Sequence, residues 1–161
     1  MRFIKTKFKM TLGVILFSVI PLHAHALLMD IEWAGANGYS LTGQFSYSDS
    51  LIGTGAIDRT SLDTFEITGF HNDVEIGSWD YIADGLDAGY LFNFNFDTTL
   101  ETFLVGGDSY SSNGQLWNTT SGASTCNTFG FGSGRTAQAV CVEGRLVGSS
   151  FLSNYGGALV A

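Results

Sequence analysis

Carboxylates are the commonest groups in this sequence that could hold a ligand, and they are densest between residues 79 and 87. Asp80, Asp84 and Asp87 fall within these nine positions, and carboxylate oxygens are ligands that Ca²⁺ prefers in protein loops. The spacing lacks the alternating ligands before a fixed glycine that mark an EF-hand loop. The cluster therefore predicts either a weak calcium site, with calcium as the one candidate cofactor, or a solvated turn.

Catalytic chemistry has less support from the residue types. A glycosidase needs two carboxyl groups about 5 to 10 Å apart across a sugar site, but fifteen acidic residues supply too many pairs for the sequence to select one. His71 is the only histidine after residue 26, and no Gly-x-Ser-x-Gly elbow accompanies it. We expect no enzymatic activity and assign no catalytic residues.

Aromatic rings could bind a ligand by stacking on the apolar faces of sugars. The candidates for such a platform are Trp33, Trp79, Trp117, Tyr81 and Tyr110. The competing interpretation is that strand tryptophans fill the core of a small domain. A carbohydrate-binding module, assisted by calcium if the acidic cluster binds it, is therefore one functional hypothesis.

The sequence contains two cysteines, Cys126 and Cys141. In an exported protein an isolated pair is expected to form a disulfide, and closing a loop of about 15 residues would stabilise the fold by about 3 kcal/mol in the chain-entropy model. A zinc site needs more ligands than two thiols, and a Cys-His nucleophile would have to use His71. We therefore predict one disulfide.

Export is predicted from the N-terminus. Four basic residues lie within the first nine positions, and an apolar run follows at residues 12–20. This run is far shorter than the roughly 20 residues of a membrane-spanning helix, and Ala24-His25-Ala26 places small residues where signal peptidase reads the chain. We predict a signal peptide at residues 1–26, cleaved after Ala26; the alternative is a buried core helix at residues 11–22.

Cleavage after Ala26 would leave a strongly acidic chain. Arg59, Arg135 and Arg145 are then the only basic residues against fifteen acidic ones, so the formal net charge is −12. Such a surface repels phosphate groups, and we expect no nucleic-acid partner. No later segment approaches about 18 consecutive apolar residues, so no membrane span is expected. These features indicate a secreted protein, extracellular or periplasmic.

Short strands must position these residues. Glycine-containing turns recur along the chain, and the segments between them are rich in aromatic and β-branched residues without a sustained helical period. Asn37-Gly38 supplies the positive φ angles of a tight turn between predicted strands at 29–35 and 39–47. The alternation on both sides of residues 69–73 predicts a second hairpin.

The clearest predicted strand is Tyr90–Asp97. Its aromatic residues, Tyr90, Phe92, Phe94 and Phe96, share one face, and the other face, with Asn93 and Asn95, is expected to meet solvent. Shorter strands are expected at residues 102–105, 115–118, 127–131, 136–143 and 145–151. The pattern predicts an all-β fold, an antiparallel two-sheet sandwich of jelly-roll type with about nine short strands, forming a single domain at residues 27–161.

Four segments of the chain resemble small secreted bacterial proteins of the PEP-CTERM, or exosortase-sorted, group. They are YSLTGQFSYSD at residues 39–49, FEITGF at 65–70, NFNFD at 93–97 and VGSS at 147–150. The resemblance implies a surface or matrix protein linked to exopolysaccharide, with polysaccharide or other matrix proteins as candidate partners. It carries over no catalytic or binding residues, because the matching segments are predicted strands and turns.

The sorting tail of that group is a Pro-Glu-Pro motif followed by an apolar span and basic residues. The last residues here, 155–161, read YGGALVA. We therefore expect either a relative without the tail, released into the periplasm or the medium, or a sequence that stops before it. The first functional hypothesis is an exported, non-enzymatic surface or extracellular-matrix protein.

Overall fold

A computed structural model describes residues 25–86, 89–120, 125–126, 128–151 and 159–161. Most of the predicted signal peptide and Asp87 lie outside these residues. The described residues form twelve strands: Ala26–Ala34 (β1), Tyr39–Ser48 (β2), Ala56–Asp58 (β3), Leu62–His71 (β4), Val74–Asp80 (β5), Leu91–Asn93 (β6), Asn95–Asp97 (β7), Thr102–Phe103 (β8), Gln115–Thr119 (β9), Phe129–Ser133 (β10), Ala137–Val142 (β11) and Arg145–Phe151 (β12). A one-turn helix, Tyr81–Asp84 (α1), follows β5.

The strands pair antiparallel in three sheets, which confirms the predicted all-β class. The four-stranded sheet has the order β1-β2-β4-β5, and the five-stranded sheet has the order β12-β11-β10-β9-β6. These two sheets face each other, since β5 contacts β10 and β2 contacts β11 and β12. The third sheet, β3-β7-β8, is smaller. The arrangement is sandwich-like.

The segment predicted as one strand at Tyr90–Asp97 is divided between two sheets. β6 pairs with β9 in the five-stranded sheet, whereas β7 pairs with β3 and β8, so the chain changes sheets at Phe94. The prediction of a solvent-facing Asn95 is wrong, since its side chain is only 9% exposed. The loop before β9 covers this side of the strand. Within it, the carbonyl of Gly114 accepts a hydrogen bond from the amide nitrogen of Asn95 at 2.7 Å.

The division of Tyr90–Asp97 is one reason why twelve strands are found where about nine were expected. β3 lies between the two predicted hairpins, where no strand was predicted, and it has only three residues. A strand of this length shows too little alternation to be recognised from sequence. Its pairing partner, β7, also lies some forty residues further along the chain.

Aromatic rings from both large sheets make up much of the core. The ring of Phe65 on β4 lies 5.0 Å from that of Trp117 on β9, and Trp33 on β1 lies 5.5 Å from Phe131 on β10, measured between centroids. Both pairs meet edge to face, an arrangement worth about 0.5–1.5 kcal/mol beyond the area that it buries. The ring of Phe45 on β2 also contacts those of Phe94, between β6 and β7, and Phe103 on β8.

The predicted disulfide between Cys126 and Cys141 is confirmed. Their Cα atoms are 5.8 Å apart, both side chains are buried, and the bond ties the segment before β10 to the C-terminal end of β11. Within the described ranges, no helix is long and apolar enough to cross a membrane.

Candidate functional site

The three tryptophans proposed for a sugar-binding platform are buried. Trp33 packs on Phe131 and Trp117 packs on Phe65, each across the space between the two large sheets. Trp79 is buried at the end of β5, where its indole nitrogen donates to the carbonyl of Gly85 at 2.8 Å. None of the three rings offers a face at the surface, and they occupy the core as the competing interpretation expected.

The two tyrosine candidates lie on separate elements. Tyr81 begins α1 and is half-buried, with its ring 4.5 Å from that of Phe92. Tyr110 is 63% exposed on the loop between β8 and β9. The five candidate rings therefore do not come together as one platform.

The acidic cluster builds a helical turn. Asp80 is the N-cap of α1, and its Oδ1 accepts hydrogen bonds from the backbone N–H groups of Ile82 at 2.8 Å and Ala83 at 2.9 Å. Asp84 in turn accepts from the backbone N–H of Asp80 at 3.0 Å. The reciprocal bonds resemble a capping box and satisfy amides that the short helix leaves open. The sequence analysis did not predict this helical turn, although an aspartate followed four residues later by a second acid could have indicated it.

These bonds bear on the predicted calcium site. Asp80 and Asp84 are both engaged with the backbone, and the third proposed ligand, Asp87, lies outside the described residues. Over the described part of the chain, no group of three or more histidine, cysteine, aspartate or glutamate side chains is arranged to hold a metal ion.

The outer face of the four-stranded sheet carries a polar groove that the sequence analysis missed. It has a volume of about 480 Å³ and is lined mainly by Asp30, Glu32, Thr42, Gln44, Glu66 and Thr68. Asp30, Gln44 and Glu66 are cross-strand neighbours on β1, β2 and β4. Gln44 donates from its side-chain nitrogen to Asp30 at 2.8 Å, which orients both groups. These six side chains occupy even-numbered positions, the solvent-facing side of the strand alternation.

A second groove adjoins the first and shares Gln44 and Glu66 with it. Its volume is about 380 Å³, and its other lining residues include Leu28, Thr64, Asp80 and Ile82. Leu28 and Ile82 are 57% and 58% exposed, so this groove has apolar walls where the first has polar ones. We call the two together the outer-face groove. The helix α1 forms one of its walls because Asp80 caps it at the end of β5.

The charged side chains on the strands of this sheet are all acidic. The four strands carry six carboxylates and no lysine or arginine: Asp30, Glu32, Asp63, Glu66, Glu75 and Asp80. Carboxylates only accept hydrogen bonds, the amide of Gln44 donates and accepts, and threonine hydroxyls do both. The outer-face groove can therefore hydrogen-bond a ligand rich in hydroxyl or amino groups, and it repels an anionic one.

Comparison of the chain with protein-family models, with curated proteins and with solved structures gives no match.

Proposed function

We propose that the protein is exported and serves as a non-enzymatic surface or extracellular-matrix component. The observation that carries this proposal is the buried bond between Cys126 and Cys141, because structural disulfides form and persist in oxidising compartments outside the cytoplasm. The basic and apolar residues near the N-terminus support the same compartment. The resemblance to the PEP-CTERM group supports a matrix role.

Export is tested by expressing the full chain in an exporting bacterial host and measuring the intact mass in each cell fraction. We expect a product in the periplasm or the medium with the mass of residues 27–161 less two hydrogens. The variant Ala26→Arg is the control, because it removes a small residue from the predicted cleavage site and should leave the precursor uncleaved. A full-length chain in the cytoplasm with two reactive thiols would contradict the proposal.

Polysaccharide binding is a second candidate function, and the outer-face groove favours it. Asp30, Gln44, Glu66 and Asp80 form one row across β1, β2, β4 and β5. With neighbouring strands about 4.8 Å apart, the row extends over about 14 Å. Such a row supports a binding site for an extended ligand with repeated polar groups.

The two kinds of wall also suit a sugar. Pyranose rings present hydroxyl groups at their edges and C–H groups on their faces, so they need hydrogen-bonding partners beside apolar surface. Thr42, Gln44 and Glu66 provide the first kind of contact, and Leu28 and Ile82 provide the second. The ligand class that fits is a neutral or amino-sugar polysaccharide, since the carboxylates would repel uronic acids.

Binding is tested by affinity electrophoresis through gels that contain a neutral glucan, glycol chitosan or alginate. We expect retardation by one of the first two polymers and none by alginate. The variant Glu66→Gln should weaken binding about tenfold, as expected for one charge-assisted hydrogen bond. Glu75→Gln is the matched control, because Glu75 is exposed on β5 and does not line the groove. Two outcomes would contradict this function: equal retardation of the two variants, or the absence of retardation for every protein in every gel.

A further inference from the structure

Residues 159–161 form a short clip on the outer edge of the four-stranded sheet. Val160 and Glu32 of β1 exchange two backbone hydrogen bonds, N–H to carbonyl in each direction, both at 3.0 Å. Beside them Leu159 is 5% exposed and belongs to the main hydrophobic core. The clip thus holds β1 by one antiparallel bridge and one buried side chain.

The clip covers only part of the β1 edge. Since the backbone groups of Glu32 point away from β2 to reach Val160, those of Leu28 and Asp30 point outward as well, because strand residues alternate in this respect. In the described part of the chain, Glu32 is the one residue of these three with a strand partner on that side. Among the described residues, none pairs with the outer edge of β1 from Leu28 to Asp30, so this part of the edge can accept a further strand.

The contact has the features of an exchangeable element. Among the described residues, the contact consists of two hydrogen bonds and one buried leucine, and a contact of this size can open locally without unfolding the rest of the sandwich. Residues 159–161 of another copy then fit the same edge of β1 and the same cavity that Leu159 leaves. The exchange therefore needs no contact that the single chain does not already make.

We propose that copies of this chain associate by exchanging the clip, with Val160 of one copy bonded to Glu32 of the next and Leu159 of the first copy buried in the core of the second. The contact joins two different surfaces. One-way exchange therefore leaves a free clip and a free edge on the assembly, and it can continue head to tail, whereas reciprocal exchange closes a dimer. A second copy of the chain is thus the partner that the β1 edge accepts.

Cysteine cross-linking tests the exchange on the full exported chain. The variants Glu32→Cys and Val160→Cys are prepared separately, mixed at increasing concentration and oxidised mildly. Directly opposed residues of a hydrogen-bonded antiparallel pair have Cα atoms about 5.5 Å apart, within disulfide range. We expect a mixed disulfide dimer whose yield rises with concentration and whose cross-linked peptide contains residues 32 and 160. Adding Leu159→Asp to the Val160→Cys chain should reduce the yield at least tenfold.

Two controls make the result decisive. Glu75→Cys mixed with Val160→Cys measures random collision, because Glu75 lies on β5 at the opposite edge of the sheet. The double variant Glu32→Cys/Val160→Cys, oxidised at high dilution, reports the contact within one chain. A mixed dimer no more abundant than the Glu75→Cys background overturns the proposal, whether or not the double variant closes within the chain.

Discussion

Phe129 of β10 lies directly against Gly69 of β4, with its ring in the space that a side chain at position 69 would need. Gly77 of β5 borders the same ring, and a Cβ atom there would lie 2.9 Å from Cδ2 of Phe129. The two glycines open a hole in the inner face of the four-stranded sheet, and the phenylalanine of the facing sheet fills it. The separation of the sheets at this point depends on this fit.

We expect Gly69→Ala to lower the free energy of unfolding by about 1–3 kcal/mol, because the added methyl group overlaps a buried ring in a close-packed core. Urea denaturation measures the change. Gly134→Ala is the control, since its Cβ would have one neighbour, at 4.0 Å, and it should change stability by less than about 0.5 kcal/mol. A loss at position 134 as large as that at 69 would show that the Phe129 contact is not the cause.

Asn95 should hold the loop before β9 in place. Its amide nitrogen donates to Gly114 at 2.7 Å and to Ser111 at 3.1 Å, and both acceptors are backbone carbonyls. We expect Asn95→Ala to destabilise the protein by about 1–3 kcal/mol, because it removes two hydrogen bonds of a buried side chain and leaves the amide of Asn93 as the side-chain donor to these two carbonyls. Amide hydrogen exchange at residues 107–114 should become faster. Asn113→Ala, at an exposed position of the same loop, should change neither quantity; unaltered exchange in Asn95→Ala would refute the assignment.

The disulfide is expected to stabilise the fold by about 3 kcal/mol in the chain-entropy model, since it closes a loop with a sequence separation of 15 residues. The double variant Cys126→Ala/Cys141→Ala should therefore unfold at lower urea concentration than the oxidised protein. Dithiothreitol should shift the wild-type midpoint towards that of the variant and leave the variant unmoved. Equal midpoints for all three samples would mean that the bond adds no stability.

Tyr47 is fully buried, and its hydroxyl has no hydrogen-bond partner among the described residues. Because an unsatisfied buried hydroxyl is costly, Tyr47→Phe should raise the free energy of unfolding by about 1 kcal/mol. Tyr110→Phe serves as the control, since that side chain is exposed and should have no effect. Calorimetric or urea unfolding of the three proteins would decide the matter, and a less stable Tyr47→Phe would reveal a partner for the hydroxyl.

The same residue predicts loss of stability at alkaline pH. Burial raises the pKa of Tyr47, and the negative charge of Glu101 raises this pKa further. The unfolded chain then releases the phenolic proton first, near pH 10. The ionisation of Tyr47 therefore leaves the free energy of unfolding unchanged below about pH 10 and lowers it as the pH rises from there towards the folded-state pKa. Unfolding curves from pH 8 to 11 should show a steeper decline for the wild type than for Tyr47→Phe; parallel declines would contradict this.

Local patterns predicted the elements that depend on neighbours in sequence. The hairpin around Asn37 and Gly38 was predicted within three residues at each end, and both residues have positive φ, 57° and 77°. The alternation of Phe92, Phe94 and Phe96 correctly placed all three in the core. The disulfide followed from there being only two cysteines. In each case the information lies in side-chain types a few positions apart.

Only the tertiary structure decided where the chain changes sheets, what buries the tryptophans and where a groove opens. Nothing near Phe94 in sequence indicates that β6 pairs with β9 while β7 pairs with β3. Asp30 and Glu66 look like ordinary solvent-facing positions until β2 brings them into one row. The physical reason is that alternation fixes which face a side chain occupies, whereas its neighbours on that face belong to strands that sequence distance does not identify.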